Sequence, residues 1–213
     1  MIDTKQRILD TAERLIAEQG YAATSLRHII AEAGVNLAAI HYHFGSKEDL
    51  LDQVIVRKAE PMNRERLARL DRVEQEAGDA PPPVMAVIAS FLRPMAEMAD
   101  RDPSFVALMG RVIAEGLLPS IVERHFQKVS ARIVGALRRA TPHLSDDEFA
   151  WRTQFMFGAM AHTMCGANFP HPADRKGDFR GRIERLLTFV TAGFEAPVTT
   201  LVKSPEKAKA EER

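Results

Sequence analysis

Apolar residues recur at intervals of three and four along most of the chain up to residue 195, and no segment alternates apolar and polar residues as a β-strand would. Glycine or proline interrupts the pattern repeatedly, for example at Gly20, Gly34, Gly78 and Pro103. Such interruptions mark the ends and beginnings of helices. The sequence therefore predicts an all-α protein.

The composition is that of a globular protein with an ordinary core. The chain has 213 residues, 46% hydrophobic and 27% charged, so it can bury a core without disulfides or metals. The single cysteine, Cys165, can form no internal disulfide, and the N-terminus lacks the pattern of a secretion signal. The longest weakly polar run, Phe155 to Ala167, is shorter than the ~20 residues that span a membrane. We expect a cytoplasmic protein.

The net charge gives no support to nucleic-acid binding. Lysine and arginine number 29, and aspartate and glutamate also number 29, so any attraction to phosphate must come from local placement.

The first 60 residues predict four helices separated by short turns. Each begins with a short polar side chain that can cap it: Asp3 (with Gln6 reaching back), Thr24 or Ser25, Asn36, and Ser46 with Asp49. The apolar residues expected to face inward are Ile8, Ala12, Leu15, Ile16, Leu26, Ile29, Ile30, Ala33, Val35, Ile40, Phe44, Leu50, Leu51, Val54 and Ile55. The second and third helices are short and joined through a glycine, as in a helix-turn-helix DNA-binding unit.

The remainder predicts a larger helical domain. Pro61 should kink or break the fourth helix, and residues 78–83 form a linker or corner. Further helices are expected near 84–100, 104–116, 119–140, 145–168 and 178–195. We therefore divide the chain into an N-terminal three-helix domain with a helix-turn-helix unit (1–50), a larger helical domain (51–197) and a charged, disordered tail (198–213).

One segment carries a specific resemblance. Residues 24–51 contain a run that ends in His-Phe, then a turn, then Lys-Glu and two apolar residues; its members are His41, Tyr42, His43, Phe44, Gly45, Ser46, Lys47, Glu48, Leu50 and Leu51. This segment, about a quarter of the chain, resembles the DNA-binding domain of the tetracycline-repressor (TetR) family. The resemblance implies a homodimeric transcription regulator, expected to be a repressor, that binds a palindromic operator and senses a small molecule.

By that resemblance, residues 36–42 form the recognition helix, whose exposed face enters the major groove. The charge pattern agrees, because residues 34–47 contain no acidic residue although residues 1–58 hold seven Lys/Arg and eight Asp/Glu. We expect phosphate contacts from Thr24, Tyr42, His43 and Lys47. Arg27 is a candidate for guanine contact or simply a solvated arginine, and the aromatic residues of the motif could instead be core residues.

The sequence departs from the family pattern at two positions. His41 stands where tyrosine is common, and Leu37 stands where a polar residue is common. With Asn36 opening the helix, Leu37, Ala38 and Ala39 give it a small apolar surface suited to thymine methyl groups. We therefore expect A·T pairs in each half-site.

Helices 145–168 and 178–195 are predicted to form the dimer interface, as the corresponding pair does in the family that the chain resembles. The first is apolar most of the way round, with Phe149, Met156, Met160 and Met164 on one side and Trp151, Phe155 and Ala159 on another. A helix of this kind must be covered on two sides, which a second subunit would accomplish.

An effector cavity is expected among the helices of the larger domain. The residues predicted to line it are Phe91, Met95, Met98, Phe105, Met109, Val112, Phe126, Phe155 and Met160. Flexible methionines tolerate a changing occupant, although the same residues could form a plain core. Arg111, His125 or His162 could pair with an acidic head group, so acyl-type molecules are the first candidates and planar aromatic compounds the second.

Two other functions stay open at this point: an enzyme built as a helical bundle, and a helical adaptor that binds proteins without DNA. No HExxH, GxSxG, Walker A or GxGxxG motif occurs. We therefore expect no catalytic activity, no cofactor and no metal, and the scattered histidines have no ligand spacing.

Overall fold

The computed structural model describes residues 3–165 and 178–198, and all regular structure within these ranges is helical. The helices are α1 Thr4–Gln19, α2 Leu26–Ala33, α3 Leu37–His43, α4 Lys47–Ala77, α5 Val84–Arg101, α6 Pro103–Ala114, α7 Leu118–Ile121, α8 Gln127–Ala140, α9 Asp146–Cys165 and α10 Phe179–Glu195, with a π-helical turn at Val122–Phe126 between α7 and α8. The predicted all-α fold is confirmed. Residues 166–168 of the predicted ninth helix and 199–213 of the predicted tail lie outside the described residues.

The four predicted N-terminal helices begin at their predicted caps. Side-chain oxygens of Asp3, Ser25, Asn36 and Ser46 accept hydrogen bonds from backbone N–H groups in the first turns of α1 to α4. One detail is wrong: the Gln6 side chain donates to Asp10 instead of reaching back to the cap. These caps place α2 and α3 on either side of Gly34, which adopts a left-handed conformation with φ of 62°.

Of the two effects predicted for Pro61, a kink or a break, the break is wrong, because α4 runs for 31 residues with Pro61 inside it. An internal proline costs about 3 kcal/mol through its missing N–H and the crowding of its ring. The burial of Ile55, Ala59 and Met62 on the same helix offsets that cost. The proposed boundary at residue 50 therefore falls within a continuous helix that both parts of the molecule share.

Helices α5 and α6 occupy the centre of the larger part. Helix α5 packs against α10, α4, α8 and α6, and helix α6 packs against both α1 and α9. Helix α6 thus contacts the N-terminal unit on one side and the C-terminal helices on the other. Within the described ranges, no helix combines the length and apolar character needed to cross a membrane.

Candidate functional site

Helix α3 presents an exposed face to solvent. Ile40 and Phe44 are buried against the first two helices, which fixes the rotation of α3 about its axis. Tyr42, on the side opposite Ile40, is 85% exposed, and Leu37, in the first turn of the helix, is 52% exposed. Asn36, Ala38 and His41 are exposed beside them. These side chains project from the second helix of a helix-turn-helix unit, the helix that such units place in the major groove of DNA, so this surface is a candidate nucleic-acid contact.

Two residues predicted for DNA contact do not lie on this surface. Thr24 is fully buried, and its hydroxyl donates to the Gly20 carbonyl oxygen at 2.7 Å, so the prediction that it contacts phosphate is wrong. Ala39 is half-buried against the core, so it does not belong to the exposed apolar face. The causes differ: Thr24 lies in the turn before the cap of α2, where its hydroxyl bonds the end of α1, whereas Ala39 lies on the side of α3 that packs on the core.

Lys47 lies at the start of α4 but turns towards the protein. Its ammonium donates to the Tyr21 carbonyl oxygen at 2.5 Å and lies 4.0 Å from the centre of the Tyr21 ring. Burial lowers the pKa of Lys47 from its usual value. An ammonium has further donors, so Lys47 both holds the turn after α1 and remains able to face an anion.

His41 has a defined tautomer in its neutral form. Its Nδ1 lies 3.2 Å from the Gly45 carbonyl oxygen, and a carbonyl can only accept, so Nδ1 carries the proton. The exposed Nε2 is then an acceptor. Nearby on α2, Arg27 is exposed, and no described residue forms an ion pair with it. Tyr42 meets the His43 ring edge-on at 5.0 Å.

A carboxylate on α6 joins the larger part of the molecule to the turn between α1 and α2. Glu115 accepts hydrogen bonds from the backbone N–H groups of Tyr21 at 2.7 Å and Ala22 at 2.8 Å. Arg111, one turn earlier, donates to the Glu18 carbonyl oxygen. A change in the position of α6 would therefore be transmitted directly to the turn that precedes α2.

A buried ionic cluster forms a second connection. Glu13 of α1 is 4% exposed and pairs with Arg57 of α4, and Ser104 of α6 donates to its other oxygen at 2.7 Å. Lys58 pairs with Asp102, the residue before α6. Burial opposes ionisation of Asp102, but the hydrogen bond and the positive charge of Lys58 help to outweigh it, and the pKa of the carboxyl is lowered. These groups fix α1, α4 and α6 relative to one another.

The described residues of the larger part surround a cavity of about 220 Å³. Its wall comprises Met62, Arg66, Phe91, Met95, Phe105, Val106, Met109, Ile113, Val122, Phe126, Ser130, Phe157, Met160, Ala161 and Met164. The helices that supply them are α4, α5, α6, α8 and α9, with the π-helical turn. Cavities of this kind, apolar with few polar groups, are typical small-molecule sites.

Six of the nine predicted lining residues lie on this wall, and three do not. Phe155 is 63% exposed on the outer side of α9; Phe157, about 200° further round the helix, faces inward and meets Phe91 edge-on at 6.0 Å. Met98 faces a surface groove between α4 and α5. Val112 is fully buried in the core without lining the cavity.

The three predicted head-group partners also lie elsewhere. Arg111 is exposed and bonded to α1, His125 lies 2.8 Å from an Asp52 carboxylate oxygen, and His162 is exposed. The charged residue on the described cavity wall is Arg66. It is not among the residues predicted from the sequence to line the cavity or to pair with a head group. A signal was present: Ile55, Ala59, Met62, Arg66 and Leu70 follow helical spacing and are all buried, so Arg66 occupies an inward position.

Helices α9 and α10 leave an apolar face uncovered. Trp151, Phe155 and Phe189 are exposed, the last by 71%, and they border a common groove. The opposite sides of the same helices bury Met156, Ile183, Leu187 and Phe194. The predicted two-sided character of the ninth helix is therefore present, with one side in the core and one exposed.

This fold and site define a class: an all-helical regulator with an N-terminal helix-turn-helix unit joined to a larger helical domain that holds a cavity. The description "Bacterial regulatory proteins, tetR family" matches residues 8–54, and "Tetracyclin repressor-like, C-terminal domain" matches residues 85–193, about half of the chain. The chain belongs to the TetR family of transcription regulators, and it is accordingly a regulator and not an enzyme.

Curated relatives bear related names. The HTH-type transcriptional regulator AcrR of Shigella flexneri is 46% identical over 24% of this chain and 24% of its own length. The uncharacterized HTH-type transcriptional regulator YerO of Bacillus subtilis is 27% identical over 61% of this chain and 43% of its own length. The match thus spans between a quarter and a half of these two relatives. The regulator Mb3439c of Mycobacterium bovis is 30% identical over 75% of this chain and 76% of its own length.

Solved structures share the fold along nearly the full chain. A TetR-family regulator from Shewanella sp. PV-4 aligns with a TM-score of 0.62 and 18% identity, covering 90% of this chain and 96% of that one. A linker-substituted mutant of HlyIIR aligns with a TM-score of 0.60 and 20% identity, covering 88% of this chain and 95% of that one. At these identities the likeness shows the fold alone.

Proposed function

We propose that this protein is a transcriptional repressor that binds a palindromic operator as a homodimer and releases it when a small, largely apolar effector enters the cavity. The single observation that carries the proposal is the exposed face of α3, on which Leu37 and Tyr42 stand out from an otherwise packed helix-turn-helix unit. The N-terminal unit binds DNA and the larger part senses the effector, with α4 belonging to both. Operator binding places the protein in the cytoplasm.

The exposed face of α3 divides into two kinds of contact. Tyr42, His43 and Lys47 address phosphates, which are the same in every sequence, whereas Leu37 and His41 address base edges. With Nδ1 bonded to Gly45, the His41 Nε2 can accept from the amino group of an adenine or a cytosine. Asn36 and Ala38 complete the base-contacting surface.

Substitutions separate these roles. Tyr42→Phe should weaken binding to operator and random DNA by the same factor, whereas Leu37→Ala or His41→Ala should change the preferred sequence, at roughly 1–3 kcal/mol per lost base contact. The operator is first obtained by selecting bound sequences from random DNA. Equal losses on operator and random DNA for the Leu37 and His41 variants would refute the assignment of bases to these residues. Arg27→Gln tests guanine contact in the same assay.

The dimer is proposed to form through α9 and α10. The exposed side chains of Trp151, Phe155 and Phe189 form an apolar patch on these helices. Such patches are typical of protein–protein contact sites. Two subunits joined there would place two copies of α3 against the halves of a palindrome, about 34 Å or more apart. Phe189→Glu should give monomers by light scattering, with Met85→Glu on another exposed surface as the control. If the wild-type protein is a monomer at micromolar concentration, the proposal of a palindromic operator is refuted.

Effector release is proposed to act through α6. Phe105 and Met109 contact the cavity while Glu115, on the next turns, holds the N–H groups of Tyr21 and Ala22. A hundredfold change in DNA affinity requires that the effector bind the non-binding conformation about 3 kcal/mol more tightly. Glu115→Gln should reduce the ratio of DNA affinities without and with effector. An unchanged ratio would exclude this connection and leave α4 as the remaining link.

A further inference from the structure

We propose that Arg66 anchors the effector, and that the effector is therefore an organic monoanion, a carboxylate on a compact apolar body. This inference rests on the proposed function, since it assigns the chemistry of the ligand that the cavity holds. It assigns the acidic head group expected from the sequence to Arg66 instead of Arg111, His125 or His162.

Arg66 has no counter-ion among the described residues. The Arg66 side chain lies on the cavity wall and the residue is only 2% exposed. None of the carboxylates in residues 3–165 and 178–198 forms an ion pair with it, whereas the less deeply buried Arg57 and Arg69 each pair with a carboxylate. A buried charge without a counter-ion is costly, and an anionic ligand would remove that cost.

The Arg66 guanidinium also has a donor nitrogen without a partner among the described residues. The Arg66 Nε donates to the Phe91 carbonyl oxygen at 2.8 Å, and Nη1 donates to Asn63 Oδ1 at 3.2 Å. Nη2 donates to no acceptor among the described residues. Both existing partners are neutral, and they fix the plane of the guanidinium while leaving its Nη2 edge available. A carboxylate accepts well from such an edge.

The surroundings keep the guanidinium charged and attractive to an anion. Its Cζ lies 4.1 Å from the centre of the Phe91 ring and 6.0 Å from that of Phe126, so aromatic faces partly compensate the lost hydration. Burial lowers the pKa of Arg66 to about 9, which leaves the group protonated at neutral pH. Because Arg66 is almost wholly removed from water, each charged hydrogen bond it makes is stronger than it would be at the surface.

The remainder of the wall sets the size and character of the ligand. Apart from Arg66, the one polar residue on the described wall is Ser130, so a single anionic group is matched and a polyanion is not. A cavity of about 220 Å³ exceeds the roughly 150 Å³ that holds benzene in an apolar cavity. A monocyclic aromatic acid or a short acyl chain fits this space, whereas a long acyl chain would require the methionines to move.

The test compares acids with their neutral amides on the full-length protein. Phenylacetate and octanoate are the carboxylate probes, phenylacetamide and octanamide are the controls, and affinity is measured by calorimetry at neutral pH. We expect at least one acid to bind wild type about tenfold more tightly than its amide. In Arg66→Met this preference should fall to about one, because the anion loses its partner. Arg64→Met, an exposed arginine on the same helix, should keep the wild-type preference.

Two readouts distinguish the failure of this inference from that of the proposed function. Equal affinity for acid and amide in wild type, no binding of either acid, or an unchanged preference in Arg66→Met overturns the anchor. If an amide nevertheless releases operator DNA, the cavity still binds the effector, but Arg66 does not anchor an anionic group. Should Arg66→Met fail to fold, Arg66→Gln takes its place. Operator binding by ligand-free variants confirms that their DNA-binding units are intact.

Discussion

Replacing Glu13 by glutamine tests whether buried charges hold the DNA-binding unit against the larger domain. The Glu13 carboxylate is almost wholly inaccessible, pairs with Arg57 and accepts from Ser104, and Lys58 Nζ lies 3.9 Å away. Glutamine has nearly the same shape and can still accept from Ser104, so the substitution removes the charge with little change in volume. Arg57 then keeps only the more exposed Asp10 as its ionic partner.

The expected loss follows from burial. Breaking a buried pair by removing one partner costs about 3–5 kcal/mol, since the remaining cation stays desolvated. The retained hydrogen bond and the contact of Arg57 with Asp10 place this case at the lower end, near 3 kcal/mol. For a domain of 150–250 residues that corresponds to a decrease in Tm of roughly 6–12 °C.

The assay is urea unfolding followed by circular dichroism, with Glu32→Gln as the matched control. Glu32 also pairs with an arginine, Arg14, at 2.8 Å, but both side chains are about half exposed, so its loss should cost less than about 1 kcal/mol. The reasoning fails if the two variants lose the same stability, or if Glu13→Gln loses less than the control. In either case the buried cluster would contribute no more than a surface ion pair.

Three further results are expected. Gly20→Ala should destabilise by more than Gly34→Ala, because Gly34 has left-handed helical angles that cost another residue about 1–2 kcal/mol, whereas the angles of Gly20 (φ 91°, ψ 162°) are essentially restricted to glycine and a Cβ there would also overlap the Glu115 carboxylate; equal losses in urea unfolding would refute this. Asp102→Asn should flatten the loss of stability in acid, since a lowered pKa contributes stability that is present above the ordinary value of 3.8 and lost as pH falls through the folded value. Between pH 6 and 8 the free energy of unfolding should change with pH equally in Asp102→Asn and in wild type. A difference between the two slopes in this range would contradict the assignment to Asp102.

The sequence by itself determined the helices and where most of them begin. Caps such as Ser25, Asn36 and Ser46 act on backbone groups three residues away, so the partners are adjacent in the chain and the pattern is sufficient. The helix-turn-helix motif could be identified for the same reason. The rotation of α3 was also predictable at Ile40 and Phe44, whose apolar character selects the buried side.

Tertiary structure decided which sides of the other helices are covered, and there the sequence was insufficient. Phe155 and Phe157 are identical in character, yet one faces solvent and the other faces Phe91, because the position of α5 selects between them. Pro61 would end an isolated helix, but packing on both sides keeps α4 continuous.

Arg66 shows the same limit at the proposed site. Its spacing from Met62 and Leu70 indicates an inward position on α4, but the local pattern does not show what it faces, and the packing of α4 against α5 and α8 places it on the cavity wall. Helix periodicity is a property of neighbours in the chain, whereas burial depends on residues far apart in sequence. The chemistry of the cavity therefore follows from the tertiary contacts and not from the local pattern.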